Sequence, residues 1–260
     1  MQAPANQQIQ SRDNAWFKAL RKLVVDNAGY RKTGRIWIEG DHLCRAALQR
    51  GIEPLEVVFA QSYWGAPRHP EFAGLRARCV VIADALFDDI SSLASPARMG
   101  FILSLPDVQA VMPGVPTVIL DRVQDAGNVG SILRSAAAFG FRQVIALSGS
   151  AALWSPKVVR SGMGAHFALQ LHEGGTLDTV DALGLPLVVT SSHQGDSVQH
   201  LSLPNPCAWV MGHEGQGVRP ELMERAGHFA RIDQPGGEES LNVAAAAAIC
   251  LYASVCRAGA

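Results

Sequence analysis

Length, composition and charge indicate a globular chain and exclude several classes of protein. The 260 residues are 48% hydrophobic and 17% charged, which is enough apolar material for a sizeable core and too much for an intrinsically disordered chain. The longest nearly apolar stretch, residues 243–256, is too short to cross a bilayer, so no membrane partner is expected. The first ten residues lack the basic and apolar segments of a secretory signal. Five scattered cysteines without a C-x-x-C pair favour reduced thiols, so we expect a cytoplasmic protein without a metal site.

The basic residues are concentrated near the N-terminus, although the net charge of −1 by itself indicates no partner. A local basic face is typical of a surface that binds phosphate groups. An ordinary solvated helix produces the same pattern, so charge alone does not decide between the two. The candidate RNA-binding residues in this cluster are Lys18, Arg21, Lys22, Arg31 and Lys32.

Before residue 104 the hydrophobic pattern alternates between helical and strand spacing. It predicts helices over 13–27, 41–49, 70–77 and 84–90, and strands over 36–38, 55–60, 79–82 and 100–105. Such alternation predicts a small α/β sandwich, which we assign to a first domain of residues 1–108.

Residues 104–116 contain three prolines and a glycine and are interpreted as a connection between domains. After it, short apolar runs predict buried parallel strands over 117–120, 143–147, 186–190, 208–211 and 228–232. Helices are predicted over 129–139, 177–183, 220–224 and 241–255, with a turn at 156–161. The second domain is therefore residues 109–260, with a parallel α/β fold.

Three loops that follow predicted strands contain glycines and polar residues, at the edge of the sheet where α/β proteins bind ligands. In the first loop, Asn128 is a candidate helix cap, and Arg134 supplies a cation near the same helix N-terminus. The second loop, residues 212–218, has three glycines around Glu214, and the third places Ser240 and Asn242 at the start of the last helix. No P-loop, dinucleotide fingerprint, zinc-protease or hydrolase motif is present.

Together, the three loops resemble the three motifs of the SpoU (TrmH) family of RNA ribose 2′-O-methyltransferases. The first motif, N-x-G-x-x-x-R, is matched by Asn128, Gly130 and Arg134. The second, G-x-E-x-x-G-Φ with Φ an apolar residue, is matched by Gly212, Glu214, Gly217 and Val218. The third, G-x-x-x-S-L-N-V, is matched by Gly236, Ser240, Leu241, Asn242 and Val243. The resemblance covers about residues 116–257. At the head of the third motif this chain has Ile232-Asp233-Gln234 where members commonly have Ile-Pro-Met.

The resemblance implies a C-terminal α/β trefoil-knot methyltransferase domain preceded by a small ribosomal-protein-like α/β RNA-binding domain. It also implies S-adenosylmethionine as cofactor, RNA (most readily rRNA) as substrate, and a homodimer. The residues it assigns to catalysis are Arg134, Asn128, Glu214, Ser240 and Asn242. Those it assigns to cofactor binding are Thr190, Gly212, Ile232 and Leu241.

By resemblance, Arg134 is the principal catalytic residue and acts on the 2′-hydroxyl. Arginine side chains hold their proton up to a pKa above about 12, so charge alone favours phosphate positioning or oxyanion stabilisation by Arg134. Asn128 is expected to orient the ribose, while Glu214, Ser240 and Asn242 shape the pocket. Three other functions stay open: a tRNA 2′-O-methyltransferase, an rRNA methyltransferase that confers antibiotic resistance, and a non-catalytic RNA-binding protein.

Overall fold

The computed structural model describes residues 7–64, 70–72, 74–91, 93–191, 194–236 and 241–258. The chain forms two compact units: Met1–Asp107 with Trp154–Phe167, and Val108–Leu153 with Ala168–Ala260. The predicted division at residue 108 assigned 154–167 to the second domain, whereas this segment packs with the first unit. In the described part of the chain, no helix has the length and apolarity needed to span a membrane.

Helices and strands alternate through most of the described chain. The α-helices are α1 (Ala15–Val25), α2 (Gly29–Thr33), α3 (Asp41–Leu48), α4 (Gln61–Trp64), α5 (Asp84–Ile90), α6 (Ala126–Ala138), α7 (Pro156–Gly162), α8 (Leu177–Asp181), α9 (Pro220–Arg225) and α10 (Val243–Ala258). The strands are β1 (Gln7–Ile9), β2 (Arg35–Glu39), β3 (Glu56–Ala60), β4 (Arg78–Ile82), β5 (Met99–Ser104), β6 (Thr117–Leu120), β7 (Gln143–Leu147), β8 (Gln170–Gly175), β9 (Leu187–Thr190), β10 (Asp196–Ser197), β11 (Ala208–Met211) and β12 (His228–Arg231).

The first unit is built on a five-stranded mixed sheet in the order β1-β4-β3-β5-β2. Strands β1, β4 and β3 are parallel, and β5 runs antiparallel to both of its neighbours. α1 begins where the Asn14 side chain accepts hydrogen bonds from the N–H groups of Trp16 and Phe17. Its three-residue spacing then buries Phe17, Leu20 and Leu23 against the sheet, together with side chains of α5.

The second unit is built on a seven-stranded sheet in the order β10-β12-β9-β11-β6-β7-β8, and every described pairing is parallel. From β6 the chain first builds one side of the sheet through β7 and β8. It then returns to the other side, where β11 fills the place next to β6. The carboxyl ends of β6 and β11 therefore lie at a reversal of strand order, the usual ligand-binding position in such sheets.

Two layers of helices complete the second unit. α8 and α9 contribute Val180 and Leu222 to the apolar cluster that covers one face of the sheet. α10 contacts both α6 and β11, and the indole N–H of Trp209 donates to the Ser254 hydroxyl at 2.8 Å. This bond pairs the polar atom of a fully buried tryptophan and fixes α10 against β11.

Several predicted elements differ from the observed ones for identifiable physical reasons. The helix predicted over 70–77 is only a 3-10 turn at Pro70–Phe72, because Gly74 adopts a positive φ of 93° and β4 begins at Arg78. Strands β1, β8 and β10 were not predicted. They lie at sheet edges and are too short or too polar to show a continuous apolar run.

Candidate active site

A cavity of about 1070 Å³ opens at the carboxyl edge of the second sheet. All four residues predicted to bind the cofactor, Thr190, Gly212, Ile232 and Leu241, line it. Its wall also includes the whole segment from Gly212 to Val218 and apolar side chains of α9 and α10. Its mixture of apolar walls with a few polar groups is typical of a small-molecule site, and its volume leaves ample room for a nucleoside.

The wall formed by Gly212–Gly217 is a tight turn that the sequence specifies in detail. His213 and Gly217 exchange two backbone hydrogen bonds of 3.0 and 2.9 Å. The His213 ring nitrogen Nδ1 accepts from the N–H groups of Gly215 and Gln216. A side chain at Gly212 would place its Cβ 2.4 Å from the Gly217 carbonyl carbon, so only glycine permits this close return of the backbone.

Three of the predicted catalytic residues form one hydrogen-bonded chain across the three motifs. The Asn128 amide Nδ2 donates to Glu214 Oε1 at 3.2 Å, and Asn242 Nδ2 donates to Asn128 Oδ1 at 2.9 Å. Asn242 Oδ1 also accepts from the N–H groups of Ala244 and Ala245, which caps α10. Residues far apart in sequence are thus held at one site, with Glu214 and Asn242 on the cavity wall.

The Glu214 carboxylate is held in its charged form by hydrogen-bond donors. Partial burial acts to raise its pKa. Its own backbone N–H, the Asn128 amide and the N–H groups of Asp125 and Gln124 outweigh that effect, so the pKa lies below the ordinary glutamate value. The side chain that pairs with Glu214 in the described structure is thus the Asn128 amide.

The interpretation of Asn128 as a helix cap is wrong. Asp125 occupies that position, and its carboxylate accepts from the Asn128 N–H at 2.8 Å. α6 therefore begins at Ala126, three residues earlier than predicted, because an aspartate cap satisfies the free N–H groups of the first turn. The Asn128 side chain is released from capping and links the other two motifs instead.

Two predicted catalytic residues are not part of this hydrogen-bonded chain. Arg134 lies on α6, six residues and about 9 Å along the helix axis from Asn128. Its side chain is exposed and makes no hydrogen bond or ion pair with any residue that the structure describes. Ser240 lies outside the described residues.

Polar groups in the cavity wall differ in what they leave available to a ligand. The Thr190 hydroxyl donates to the Val210 carbonyl at 3.0 Å, so its proton is used within the sheet. Gln234, at the position where this chain departs from the Ile-Pro-Met pattern, lines the cavity, and its buried Oε1 has no hydrogen-bond partner among the described residues. An unpaired buried oxygen is unfavourable, and a bound ligand that offers a donor would relieve it.

The five candidate RNA-binding residues are all exposed and lie on α1 and α2, which contact each other. Lys18 forms an ion pair of 2.8 Å with Asp13, and the Arg31 guanidinium lies 5.3 Å from the Tyr30 ring centroid. Arg21, Lys22 and Lys32 have no acidic partner among the described residues. Their charge is therefore available to a polyanion.

An ion-pair cluster beside the turn was missed by sequence reasoning. Asp121 is fully buried directly after β6, and it accepts from the Arg219 backbone N–H at 2.7 Å and from Arg219 Nε at 2.6 Å. Arg122 Nη1 donates to Gln216 Oε1 at 3.0 Å. The available signal was the position of Asp121 and Arg122 at a strand end, but neither residue belongs to a recognised motif.

Within the described residues, no group of three or more histidines, cysteines or acidic residues could hold a metal ion. The polar side chains that line the cavity are instead amides, hydroxyls, the His213 imidazole and the Glu214 carboxylate.

Comparison with known families gives one clear match. The model of the SpoU rRNA methylase family matches residues 116–252, just over half of the chain. The match begins one residue before β6 and ends within α10, so it includes all three motif loops.

Individual relatives match over nearly the full chain. The 23S rRNA (guanosine(2553)-2′-O)-methyltransferase RlmP of Bacillus subtilis is 28% identical, over 94% of this chain and 98% of its own. A crystal structure described as an RNA 2′-O ribose methyltransferase is 28% identical, with a TM-score of 0.83, and covers 97% of this chain and 100% of its own. An AdoMet-bound rRNA methyltransferase of Sinorhizobium meliloti is 26% identical, with a TM-score of 0.82, and covers 96% and 97%.

Proposed function

Because this chain belongs to the SpoU rRNA methylase family, we propose that it transfers a methyl group from S-adenosylmethionine to a ribose 2′-hydroxyl of rRNA. The carrying observation is that Asn128, Glu214 and Asn242, from three separate motifs, meet at one cavity. The full-length likeness to a methyltransferase named for 23S rRNA favours the large-subunit rRNA over tRNA. An rRNA substrate places the proposed activity in the cytoplasm, where ribosomes are assembled.

The cavity residues fit S-adenosylmethionine. The apolar side chains of Val218, Ile232 and Leu241 suit an adenosine moiety, and the unpaired oxygen of Gln234 suits one of its donors. When bound, the cofactor supplies a methyl carbon that bonds to the ribose oxygen as its bond to sulfur breaks. The electron pair remains on sulfur, and the hydroxyl proton passes to solvent.

The protein contributes alignment and charge to this reaction. Asn128 and Asn242 present fixed amides next to the cavity, which suits orientation of the ribose. Arg134, on the same helix as Asn128, supplies a cation without a partner among the described residues, which suits an RNA phosphate or developing negative charge on the 2′-oxygen. Ser240 is proposed to shape the same pocket.

Label transfer tests the reaction and its substrate together. Methyl-tritiated S-adenosylmethionine is incubated with unmodified rRNA, with large-subunit particles that lack the modification, and with tRNA, and each RNA is then hydrolysed in alkali. Alkali cleaves RNA through a free 2′-hydroxyl, so ribose methylation leaves label in an uncut dinucleotide, the expected result for rRNA. Label in mononucleotides would mean base methylation, and label confined to tRNA would mean the alternative substrate.

For architecture, we propose that residues 109–260 form a trefoil-knot methyltransferase domain and that residues 1–108 form a ribosomal-protein-like RNA-binding domain. The order of the second sheet supports the first part, since β11 lies between β6 and β9 and the third motif reaches the residues of the first. The exposed cations of α1 and α2 support the second part.

Removing the unpaired cations should weaken RNA binding and its dependence on salt. With Arg21, Lys22 and Lys32 all changed to alanine, the negative slope of log affinity against log salt should become shallower by about 2 to 3, because fewer phosphate contacts form and fewer counterions are released on binding. Filter binding at several salt concentrations measures the slope, with an Arg142→Ala, Arg225→Ala double variant as control. An unchanged slope would assign the cluster to an ordinary solvated surface.

We further propose that the protein is a homodimer associated through α10. Ala245, Ile249, Tyr252 and Cys256 recur at spacings of four, three and four residues and are all exposed in the single chain. The Tyr252 ring also contacts Phe139 at the end of α6, with ring centroids 5.6 Å apart. An apolar helical stripe of this spacing suits packing against its own copy.

A charge in this stripe should separate the subunits. In light scattering coupled to gel filtration, Tyr252→Glu should halve the mass relative to wild type, because the carboxylate would be buried unpaired in the interface. Glu224→Lys, an exposed change on α9, serves as control. A wild-type protein that elutes as a monomer, or a Tyr252→Glu variant that remains dimeric, would contradict the interface.

A further inference from the structure

An arginine outside the three motifs contacts the turn that forms one wall of the cavity. Arg122 Nη1 donates to the Gln216 side chain at 3.0 Å, and Nη2 donates to the Gly217 carbonyl oxygen at 3.4 Å. Gln216 and Gly217 line the cavity, whereas Arg122 does not. The guanidinium thus contacts the turn without lining the cavity itself.

The backbone of Arg122 is held in an uncommon conformation. Its φ is +58°, in the left-handed region that non-glycine residues rarely adopt. This geometry directs the side chain over Gly149, whose Cβ position would lie 3.1 Å from Arg122 Cγ. A strained backbone persists where surrounding contacts require it, and such positions concentrate at functional sites.

Asp121 fixes the other end of the same turn. Its buried carboxylate lies 3.4 Å from Arg122 Nε and 2.5 Å from Arg219 Nη2, and it also accepts from the Arg219 backbone N–H. Arg219 lies two residues after the turn, and Arg122 contacts the last two residues of the turn, so the Asp121 carboxylate is in ion-pair contact with both arginines that flank it. The planar fork of Arg122 serves these two acceptors from two separate nitrogens in a fixed geometry, which the single flexible ammonium of a lysine does not reproduce.

We infer that Arg122 is a positioning residue that sets cofactor affinity by holding the Gly212–Gly217 turn in its binding conformation. The inference rests on the proposed function, because the ligand of the cavity is S-adenosylmethionine there. Arg122 contacts neither the cavity nor the Asn128–Glu214–Asn242 chain. Because the turn is already ordered in the free protein, cofactor binding loses no free energy in ordering it. Loss of the Arg122 hydrogen bonds should therefore weaken cofactor binding more than it slows the chemical step.

The test separates cofactor binding from turnover in Arg122→Ala, Arg122→Lys and Arg122→Gly. Calorimetric titration with S-adenosylhomocysteine should give a Kd about tenfold or more above wild type in each, because two charge-assisted hydrogen bonds are lost. The KM for S-adenosylmethionine should rise in parallel, while kcat at saturating cofactor falls far less. Arg122→Gly is the decisive variant, since it relieves the backbone strain and should fold at least as well as Arg122→Ala.

Two controls distinguish positioning from a general loss of stability. Arg225→Ala removes a surface ion pair with Asp181 in the same unit and should leave the Kd unchanged. Thermal melting of each Arg122 variant is the second control, because a positioning role raises the Kd without a matching fall in Tm.

The inference would be overturned, and the proposed function would stand, if Arg122→Ala and Arg122→Gly kept the wild-type Kd. The same conclusion would follow if kcat and affinity fell equally and the Tm fell with them. Failure of the wild-type protein to bind S-adenosylhomocysteine would overturn the proposed function and the inference with it.

Discussion

Arg134→Ala lowers the rate of methyl transfer by about 10²- to 10³-fold, the cost of removing one donor that stabilises developing charge. The Kd for S-adenosylhomocysteine stays close to that of wild type, because the Arg134 side chain is not part of the cavity wall. The guanidinium is exposed and has no partner among the described residues, so no internal contact is lost either. Single-turnover assays at saturating cofactor measure the rate, and calorimetry measures the affinity.

Two further variants decide what Arg134 does. Arg134→Lys keeps the charge but loses the bidentate fork, so a phosphate-positioning role predicts partial activity and a raised KM for RNA. Arg142→Ala changes an exposed arginine directly before β7, provides the matched control and should retain full activity. Turnover near the wild-type rate in Arg134→Ala would remove this residue from the mechanism.

The sequence predicts the second sheet better than the first. Strands β6, β7 and β11 have the predicted bounds, because buried parallel strands show as short, unbroken apolar runs between loops. The edge strands do not follow this rule: β8 carries His172 and Glu173, and it pairs with a described strand along only one of its two edges. α2 was also missed, since five residues rich in cations give no apolar period.

For the candidate site, motif spacing predicts which residues matter but not how they are connected. Asn128 is hydrogen-bonded to Glu214, 86 residues away along the chain, and to Asn242, 114 residues away, so no local rule could pair them. The same limit explains the error at Asn128. Both Asp125 and Asn128 are good capping residues, and only the structure shows that Asp125 caps while Asn128 turns to Glu214.

Asp121 and Arg122 show a different limit. A buried carboxylate looks the same in sequence as an exposed one, and its burial here depends on Arg219, 98 residues away. The positive φ of Arg122 gives no signal either, because left-handed residues are inferred from sequence only where glycine or asparagine marks them. Tertiary ion pairs of this kind require coordinates.

The activity of Asn128→Asp, relative to wild type, should fall as the pH rises. A simple requirement for a charged carboxylate would give the opposite dependence, with activity rising with pH. Asn128 now donates an amide proton to Glu214 Oε1 at 3.2 Å, and an aspartate would place a second carboxylate there. Two carboxylates this close cannot both be ionised without strong repulsion, so the pair retains a proton with a raised apparent pKa. At pH 8 both would be charged, the turn would be displaced, and activity should fall by about tenfold or more.

The protonation states of the two carboxyl groups decide the direction of this pH dependence. In wild type the Glu214 pKa is lowered by folding, so its contribution to stability is present above the unfolded pKa and is lost only as the pH falls through the lowered folded value. In Asn128→Asp the pair has a raised pKa, so its contribution is present at low pH and is lost as the pH rises. The variant should therefore recover activity relative to wild type between about pH 8 and pH 5.

Asn128→Ala separates repulsion from simple loss of the amide. It removes both hydrogen bonds but adds no charge, so its activity relative to wild type should not improve as the pH falls. The measurement is kcat/KM for methyl transfer at several pH values for all three proteins, with the Kd for S-adenosylhomocysteine in parallel. If Asn128→Asp and Asn128→Ala show the same pH profile, the Asn128–Glu214 bond does not hold the two motifs together in solution. If Asn128→Asp alone recovers in acid, the amide at residue 128 keeps the Glu214 carboxylate charged and in place.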